Sequence, residues 1–296
     1  MKVLNTVQEI QGAERGYMEL ISRNIPLNCE IVIGGDTHIG STLCYEKGIA
    51  KLVKYVKENK DVYMIHMGDW IEAIATDDKR YQSDTTKTPI PMLQADQAIE
   101  LYSGISKKFL VGLCGNHEFK LHRYGDLAKY ICDGVGAPYG GYVCKLSLYN
   151  KGNLLFKGFL GHGGSGALTS NAKDYEQGLA NLKANLKKKL VNKASDCLIM
   201  GYGHYHQCLV VNPAERLIIG DDGKQITQNY LGAGVGTDKY IEPERRWYFC
   251  SGTALKTFEL GTASYSERAG YDPIELMYIS IKIRNGKPVS VERKFY

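Results

Sequence analysis

The sequence predicts an α/β sandwich, a mixed β-sheet flanked by helices. Two patterns carry that expectation. Through the first half of the chain, short apolar runs alternate with segments of helical period, as in βαβ units, and the second half reads as a series of antiparallel strands. The 296 residues hold 44% apolar and 23% charged positions, enough for a large core. No repeat, low-complexity tract or Pro/Gly/Ser-rich linker divides them. One domain over residues 1–296 is expected, with a motif-bearing core at about 29–212 and C-terminal strands and loops over 213–296.

Taken in order, Cys29 to Gly34 reads as a buried strand running into Gly35-Asp36. A helix follows from Glu46 to Asn59, because Ile49, Leu52, Val53 and Val56 recur on one face. Asp61 to Met67 is a second strand, and its His66, set in an apolar run, is expected to be a satisfied core histidine. The polar stretch Thr76 to Thr88 reads as an inserted loop, after which Pro89 or Pro91 opens a helix to about Ser106. Lys108 to Cys114 is a third strand, with helix-like sequence from about Leu121 to Cys132 beyond it. Tyr142 to Tyr149 and Asn153 to Leu160 flank Asn150-Lys151-Gly152 as a hairpin. Leu179, Leu182, Leu186 and Leu190 mark a helix over Lys173 to Lys193, with Lys187-Lys188-Lys189 as a solvated face. Further strands are expected at Asp196 to Met200, Gln207 to Val211, Lys224 to Leu231, Trp247 to Phe258 and Met277 to Ile283.

Charge and cysteine usage narrow the function classes. Lys+Arg 37 against Asp+Glu 32 leaves +5, a mild excess that tolerates an anionic substrate but does not by itself demonstrate a nucleic-acid binder, which usually shows a concentrated basic stripe. The eight cysteines form no Cys-x-x-Cys pair, so neither a disulfide framework nor a thiolate zinc site is expected. Met1 to Arg23 carries Glu9, Glu14 and Glu19 where a signal peptide has its apolar segment. Nowhere do the roughly 20 apolar residues of a membrane span run together. The expected setting is a reducing cytoplasm, with no membrane contact.

The histidines carry the chemical signal. Of seven, five fall in short glycine-bounded motifs after predicted strands: Asp36-Thr37-His38, Gly115-Asn116-His117-Glu118, Gly161-His162-Gly163-Gly164 and Gly203-His204-Tyr205-His206. Asp69, in Gly68-Asp69-Trp70, closes a strand in the same manner. Strand ends of an open α/β sheet converge on one edge, where ligands bind. Carboxylates and imidazoles gathered there suit divalent Mn, Fe, Co, Ni or Zn. His204 and His206 are expected on a loop, projecting to one side.

In this order over roughly residues 30–210, these five blocks resemble the signature of the calcineurin-like metallophosphoesterases. The resemblance implies a four-layer α/β/β/α sandwich with two mixed β-sheets and a two-metal site. It implies one ion held by Asp36, His38 and His206 and another by Asn116, His162 and His204. Asp69 would bridge them, with His117 just outside the metals against the substrate. The chemistry of the residue types agrees. Two divalent ions about 3.5–4 Å apart share a hydroxide, lower the pKa of its parent water and clamp an in-line phosphoryl displacement. A bridging ligand needs two close oxygens, as a carboxylate has, and Asn116 adds a neutral one. His117, if cationic, can protonate the leaving oxygen, a step typically contributing about 10²–10⁴-fold. Glu118 is expected to orient His117 or a ligand histidine.

The substrate is less closely specified. Asp69-Trp70-Ile71-Glu72-Ala73 lacks the Arg-Gly that usually follows in the Ser/Thr protein phosphatases of this family, and Trp70 stands in the neighbourhood of the tyrosine ligand of purple acid phosphatases. The intact Asp36-x-His38 favours a phosphodiesterase, with His38 assisting protonation of the leaving group. Gly232-Ala233-Gly234-Val235-Gly236 precedes Lys239, Tyr240, Arg245, Arg246, Trp247 and Tyr248, basic and aromatic residues of the kind that grip a phosphate backbone and stack on bases. An ordinary loop into a strand is the alternative. The run Ser264 to Tyr271 is similar in style to C-terminal segments of phage-type members.

The expected activity is hydrolysis of a phosphodiester, of DNA, RNA or a nucleotide, by a metal-activated hydroxide. His117, Asp69 and His38 would be catalytic, and Arg123, Arg245 and Arg246 would contact substrate. Two divalent ions are implied, Mn favoured ahead of Fe, Zn, Ni, Co or Mg. A phosphomonoesterase and a non-catalytic metal-binding scaffold are the alternatives, and the intact His117 speaks against the scaffold.

Overall fold

A computed structural model describes residues 18–164 and 166–296. Most of the leader reading of Met1 to Arg23 therefore lies outside the described residues. In chain order the strands are β1 (Glu19–Asn24), β2 (Cys29–Gly34), β3 (Val62–His66), β4 (Phe109–Gly112), β5 (Val143–Asn150), β6 (Asn153–Gly161), β7 (Ile199–Tyr202), β8 (Cys208–Val211), β9 (Arg216–Asp221), β10 (Ile226–Leu231), β11 (Trp247–Ser251), β12 (Met277–Arg284) and β13 (Lys287–Phe295). The helices are α1 (Glu46–Glu58), α2 (Pro91–Tyr102), α3 (Asn116–Lys120), α4 (Leu127–Val135), α5 (Tyr175–Leu190) and α6 (Tyr265–Arg268).

Two mixed sheets result. One has the order β13-β12-β2-β3-β4, with β2, β3 and β4 parallel. The other has the order β1-β5-β6-β7-β11-β8, with β6, β7 and β11 parallel. Strand period 2 divides the side chains of β2 between two cores. Ile31 and Ile33 point inward, meeting Leu146, Phe156, Leu160 and Phe249 of the other sheet. Val32 points outward with Met64 and Phe109, against Ile49 and Leu52 of α1, Ala95 and Ala98 of α2, and Ile131 of α4. On the far side, Leu186 and Leu190 of α5 cover Met200, Tyr248 and Cys250. The layers are therefore α/β/β/α, the four-layer sandwich with two mixed sheets. Each large side chain so buried contributes roughly 1.5–3 kcal/mol.

Where elements depart from expectation, tertiary pairing decides. β11 runs parallel to β7, so the second half is not a purely antiparallel series. The exposed, polar β1 forms because β5 offers it a parallel edge. Asp126 caps a new helix by accepting the Lys129 N–H at 2.9 Å, which splits the Leu121 to Cys132 segment into α3, a short turn and α4. The strand expected to reach Phe258 stops at Ser251. Lys224 to Leu231 becomes β10, paired only with the fully exposed β9 in a two-stranded ribbon. Lys187 approaches Glu244 at 3.4 Å, so the lysine run is not wholly a solvated face. All eight cysteines are free and buried. Among the described residues, no helix is long and apolar enough to cross a membrane.

Candidate metal centre

Five parallel strands release their motifs at one edge. β2 runs into Asp36 and His38, β3 into Asp69, β4 into Asn116 and His117, β6 into His162, and β7 into His204 and His206. The turns are sharp. Asp36, His38, Asp69, His204 and His206 all adopt left-handed backbone, with φ of 49°, 49°, 49°, 67° and 55°. For non-glycine residues that conformation costs of order 1–3 kcal/mol each and persists only where the surroundings impose it. Here they do: the Asp36 N–H donates to the Gly68 carbonyl at 2.9 Å, and the Thr37 and His38 N–H groups donate to the Asp69 carbonyl at 2.8 and 3.1 Å. The His204 N–H donates to both Asp36 carboxylate oxygens at 3.0 Å. Position 115 has to be glycine, because a Cβ there would overlap Asp69 Oδ1.

Three donor groups emerge among the described residues. Atoms of Asp36, His38, Asp69 and His206 lie within 4.8 Å of one another, as do those of Asp69, His162 and His204, and those of His38, Glu72 and His117; the first two share Asp69. Its Oδ2 is 3.8 Å from His38 Nε2 and 3.2 Å from His162 Nε2. Its Oδ1 accepts the His117 N–H at 2.9 Å. One Asp69 oxygen thus borders the first two groups, and the other accepts a backbone N–H. His206 Nε2 lies 3.2 Å from His38 Nε2 and 3.5 Å from Asp36 Oδ1. Asn116 Oδ1 joins the second group, 3.0 Å from His162 Nε2.

Partners of the outer ring nitrogens orient the imidazoles. His38 Nδ1 donates to Glu72 Oε2 at 2.9 Å, and His162 Nδ1 donates to the Met67 carbonyl at 2.8 Å. In both rings Nε2 is the atom presented to the centre, the usual arrangement behind a ligating histidine. His117 Nδ1 donates to the Glu72 carbonyl, and its ring stands edge-on to His38 with centroids 4.6 Å apart. This all-nitrogen-and-oxygen donor set, with every thiol elsewhere in the cores, fits the borderline divalent ions.

The electrostatics are those of a carboxylate ringed by imidazoles. Burial raises the Asp69 pKa, but His162, His117 and His38 outweigh it and hold the carboxylate well below its ordinary range. Burial opposes charge on His38, yet Glu72, Asp69 and Asp36 push it up to about 9. At His162 the same contest, won by Asp69 and Asp36, ends at about 10. Burial lowers His117 and His204 below the usual histidine value.

Other expected residues lie differently. Glu118, 1% exposed, hydrogen-bonds to no histidine among the described residues: it accepts N–H groups from Ile71 at 3.0 Å and Gly115 at 2.8 Å, clamping two motif loops together. Burial and the Asp69 charge raise its pKa to about 7. His66 is the satisfied core histidine, fully buried, 3.3 Å from Thr37 Oγ1 and stacked on Trp70. Arg246 is corrected. It is 2% exposed, and its guanidinium donates to the carbonyls of Ile241, Val191, Ala194 and Ser195, so it is unavailable to substrate. Arg245 is bound to the Gly232 and Ala233 carbonyls, and Arg123 is exposed over the Tyr124 ring. None of these contacts brings the three arginines to the centre.

Two contributors were missed. Glu72, three residues after Asp69, had a signal in its short spacing from a strand-end carboxylate. Thr253 follows β11 and donates its hydroxyl to the Asp36 carbonyl at 2.8 Å, a sixth strand end at the same edge.

No protein-family model matches the chain, and no curated protein does. Among solved structures it is similar to NAD nucleotidase of Haemophilus influenzae, with 13% identity and a TM-score of 0.38 over 90% of this chain and 49% of that one. It is similar to the anchor in the inner membrane complex of Plasmodium, with 9% identity and a TM-score of 0.38 over 90% and 88%. It is also similar to the calcineurin-like phosphoesterase YfkN of Bacillus subtilis, with 14% identity and a TM-score of 0.34 over 90% of each chain. The chain spans about half the length of the nucleotidase. Likeness at this level fixes neither activity nor substrate.

Proposed function

We propose that the chain is a calcineurin-like metallophosphoesterase, a metal-dependent hydrolase acting on a phosphodiester of a nucleic acid or nucleotide. The observation that supports it most is the single oxygen, Asp69 Oδ2, that borders two separate groups of ligand atoms. Asp36, His38 and His206 would hold one divalent ion, and Asn116, His162 and His204 the other, with Asp69 common to both. Manganese is the favoured occupant of such a mixed carboxylate, imidazole and amide-oxygen set. Bound there, the two ions supply Lewis acidity to a water and to the phosphoryl oxygens.

The chain's own residues do the rest. Glu72 fixes the His38 ring through Nδ1 and the His117 ring through its carbonyl, so one residue sets the angle between ligand and proton donor. His117 Nε2 is the atom that delivers a proton to the leaving oxygen. Burial lowers the His117 pKa, so its imidazolium, protonated from solvent, would be a ready acid toward the leaving oxygen. His38, with Nδ1 on Glu72 and Nε2 among the donors, would serve as a ligand, and protonation of the leaving oxygen would rest chiefly on His117.

The test compares bis(p-nitrophenyl) phosphate with p-nitrophenyl phosphate, using the full chain in manganese. The diester should show the higher kcat/KM, lost on chelation and restored by manganese. Preference for the monoester would give the site to a phosphomonoesterase, and metal uptake with neither ester cleaved would overturn the enzymatic reading.

A further inference from the structure

The motif Asn116-His117-Glu118 runs directly into an exposed aromatic side chain that the mechanism does not use. Phe119 stands on α3 three residues after Asn116, a spacing that puts both on one side of the helix, and it is 57% exposed. A row of rings joins it to the centre. Phe119 meets Tyr142 edge-on with centroids 5.9 Å apart, and Tyr142 meets His162 edge-on at 5.5 Å. His122 lies nearly parallel to Phe119, with an interplanar angle of 18° and centroids 5.7 Å apart. Backbone pairing fixes the row in place. The Tyr142 carbonyl accepts the His162 N–H at 3.0 Å, and the neighbouring Gly141 carbonyl accepts the Cys114 N–H at 2.8 Å. Glu118 secures the start of α3 by accepting the Gly115 N–H at 2.8 Å. Single exposed apolar side chains are common on protein surfaces. This one is set apart by its mounting, on fixed backbone beside Asn116 and His162.

We propose that Phe119, backed by Tyr142 and His122, is the platform on which the base of a nucleotide substrate stacks while its phosphate lies at the two donor groups that share Asp69. The assignment rests on the phosphoesterase reading and narrows its substrate class to phosphates that carry a nucleobase. A benzyl ring has no hydrogen-bonding group, so it reads flatness and π surface alone, and every base offers both. The rings are in place before the ligand arrives, so little ordering cost offsets the stacking.

The test measures Kd of the full chain in manganese for thymidine monophosphate and for deoxyribose phosphate, the same molecule without its base. The variants are Phe119→Ala, Phe119→Leu and Phe119→Tyr. In the wild type the base should tighten binding about 5- to 150-fold, the range for stacking one base on an aromatic side chain. Deoxyadenosine monophosphate should gain at least as much, because stacking does not read the hydrogen bonds of a base. The gain should fall towards onefold in Phe119→Ala, shrink in Phe119→Leu, which is apolar but not flat, and persist in Phe119→Tyr. A gain near onefold in the wild type, or an undiminished gain in Phe119→Ala or Phe119→Leu, overturns the platform. Equal weakening of both ligands in Phe119→Ala overturns it too, because the role would then be general. Hydrolysis of bis(p-nitrophenyl) phosphate by the same preparations separates the two readings. If the gain behaves as stated without hydrolysis, the platform stands and the phosphoesterase reading fails; hydrolysis with a gain near onefold does the reverse.

Discussion

The backbone N–H of His117 donates to Asp69 Oδ1 at 2.9 Å. One carboxylate thereby positions the residue assigned to proton delivery and, through Oδ2, touches two donor groups. Three imidazoles keep it ionised despite full burial, so its charge is present throughout the working pH range. The proposed proton donor and the proposed ligand groups thus meet on one side chain, and mutation of His117 and of Asp69 should separate their roles.

Glu72 should matter although it carries no assigned metal. Glu72→Ala removes the acceptor of His38 Nδ1, and loss of such a partner typically costs about 10–100-fold in metal affinity or activity. Glu72→Gln, which keeps an acceptor oxygen, should lose less. Manganese titrations of the two variants check this; equal affinity to wild type in Glu72→Ala would remove Glu72 from the account.

His117→Ala should retain its metal and lose turnover by about 10²–10⁴-fold on a diester with an alkoxide leaving group. The loss should be smaller with p-nitrophenolate, which leaves without a proton. A similar loss with both leaving groups, or a loss of metal, would contradict proton delivery by His117.

Metal uptake should depend on pH with a definite sign. In the metal-free protein the carboxylates hold His38 at about 9 and His162 at about 10, so both rings are protonated at neutral pH. A coordinating imidazole is neutral, so binding expels those protons, and affinity rises with pH and falls as pH drops. Calorimetric titration of manganese near neutral pH, in buffers of different ionisation enthalpy, should register roughly one to two protons released per chain. No release would contradict the assignment of these rings as ligands.

Arg246→Met should destabilise the fold without altering KM. It strips donors from four carbonyl groups, that of Ile241 buried and the others partly so, and a buried group left unsatisfied costs about 1–3 kcal/mol. Urea unfolding should show a lower midpoint. An intact midpoint with a raised KM would return Arg246 to substrate binding.

The parts of this fold that were legible in the sequence are those with local causes. Cys29 to Gly34 and Asp61 to Met67 are apolar runs because they are covered on both faces, and the turns after them carry Asp36, His38 and Asp69 where tight backbone excludes other uses. What was not legible depends on partners remote in the chain. β1 exists through β5, and the fate of Arg246 depends on carbonyls about 50 residues upstream. Glu118 looked like an orienting carboxylate, but its partners are the backbone of Ile71 and Gly115, and no spacing of residue types reveals a backbone partner. Glu72 was overlooked because its partner, His38, lies 34 residues before it, on the preceding strand's loop.

Anomalous scattering from crystals of the full chain grown in manganese tests the shared carboxylate most directly. Two peaks about 3.5–4 Å apart, one on each side of Asp69 Oδ2, are the result predicted. A single peak, or two peaks with Asp69 bound to neither, would contradict it.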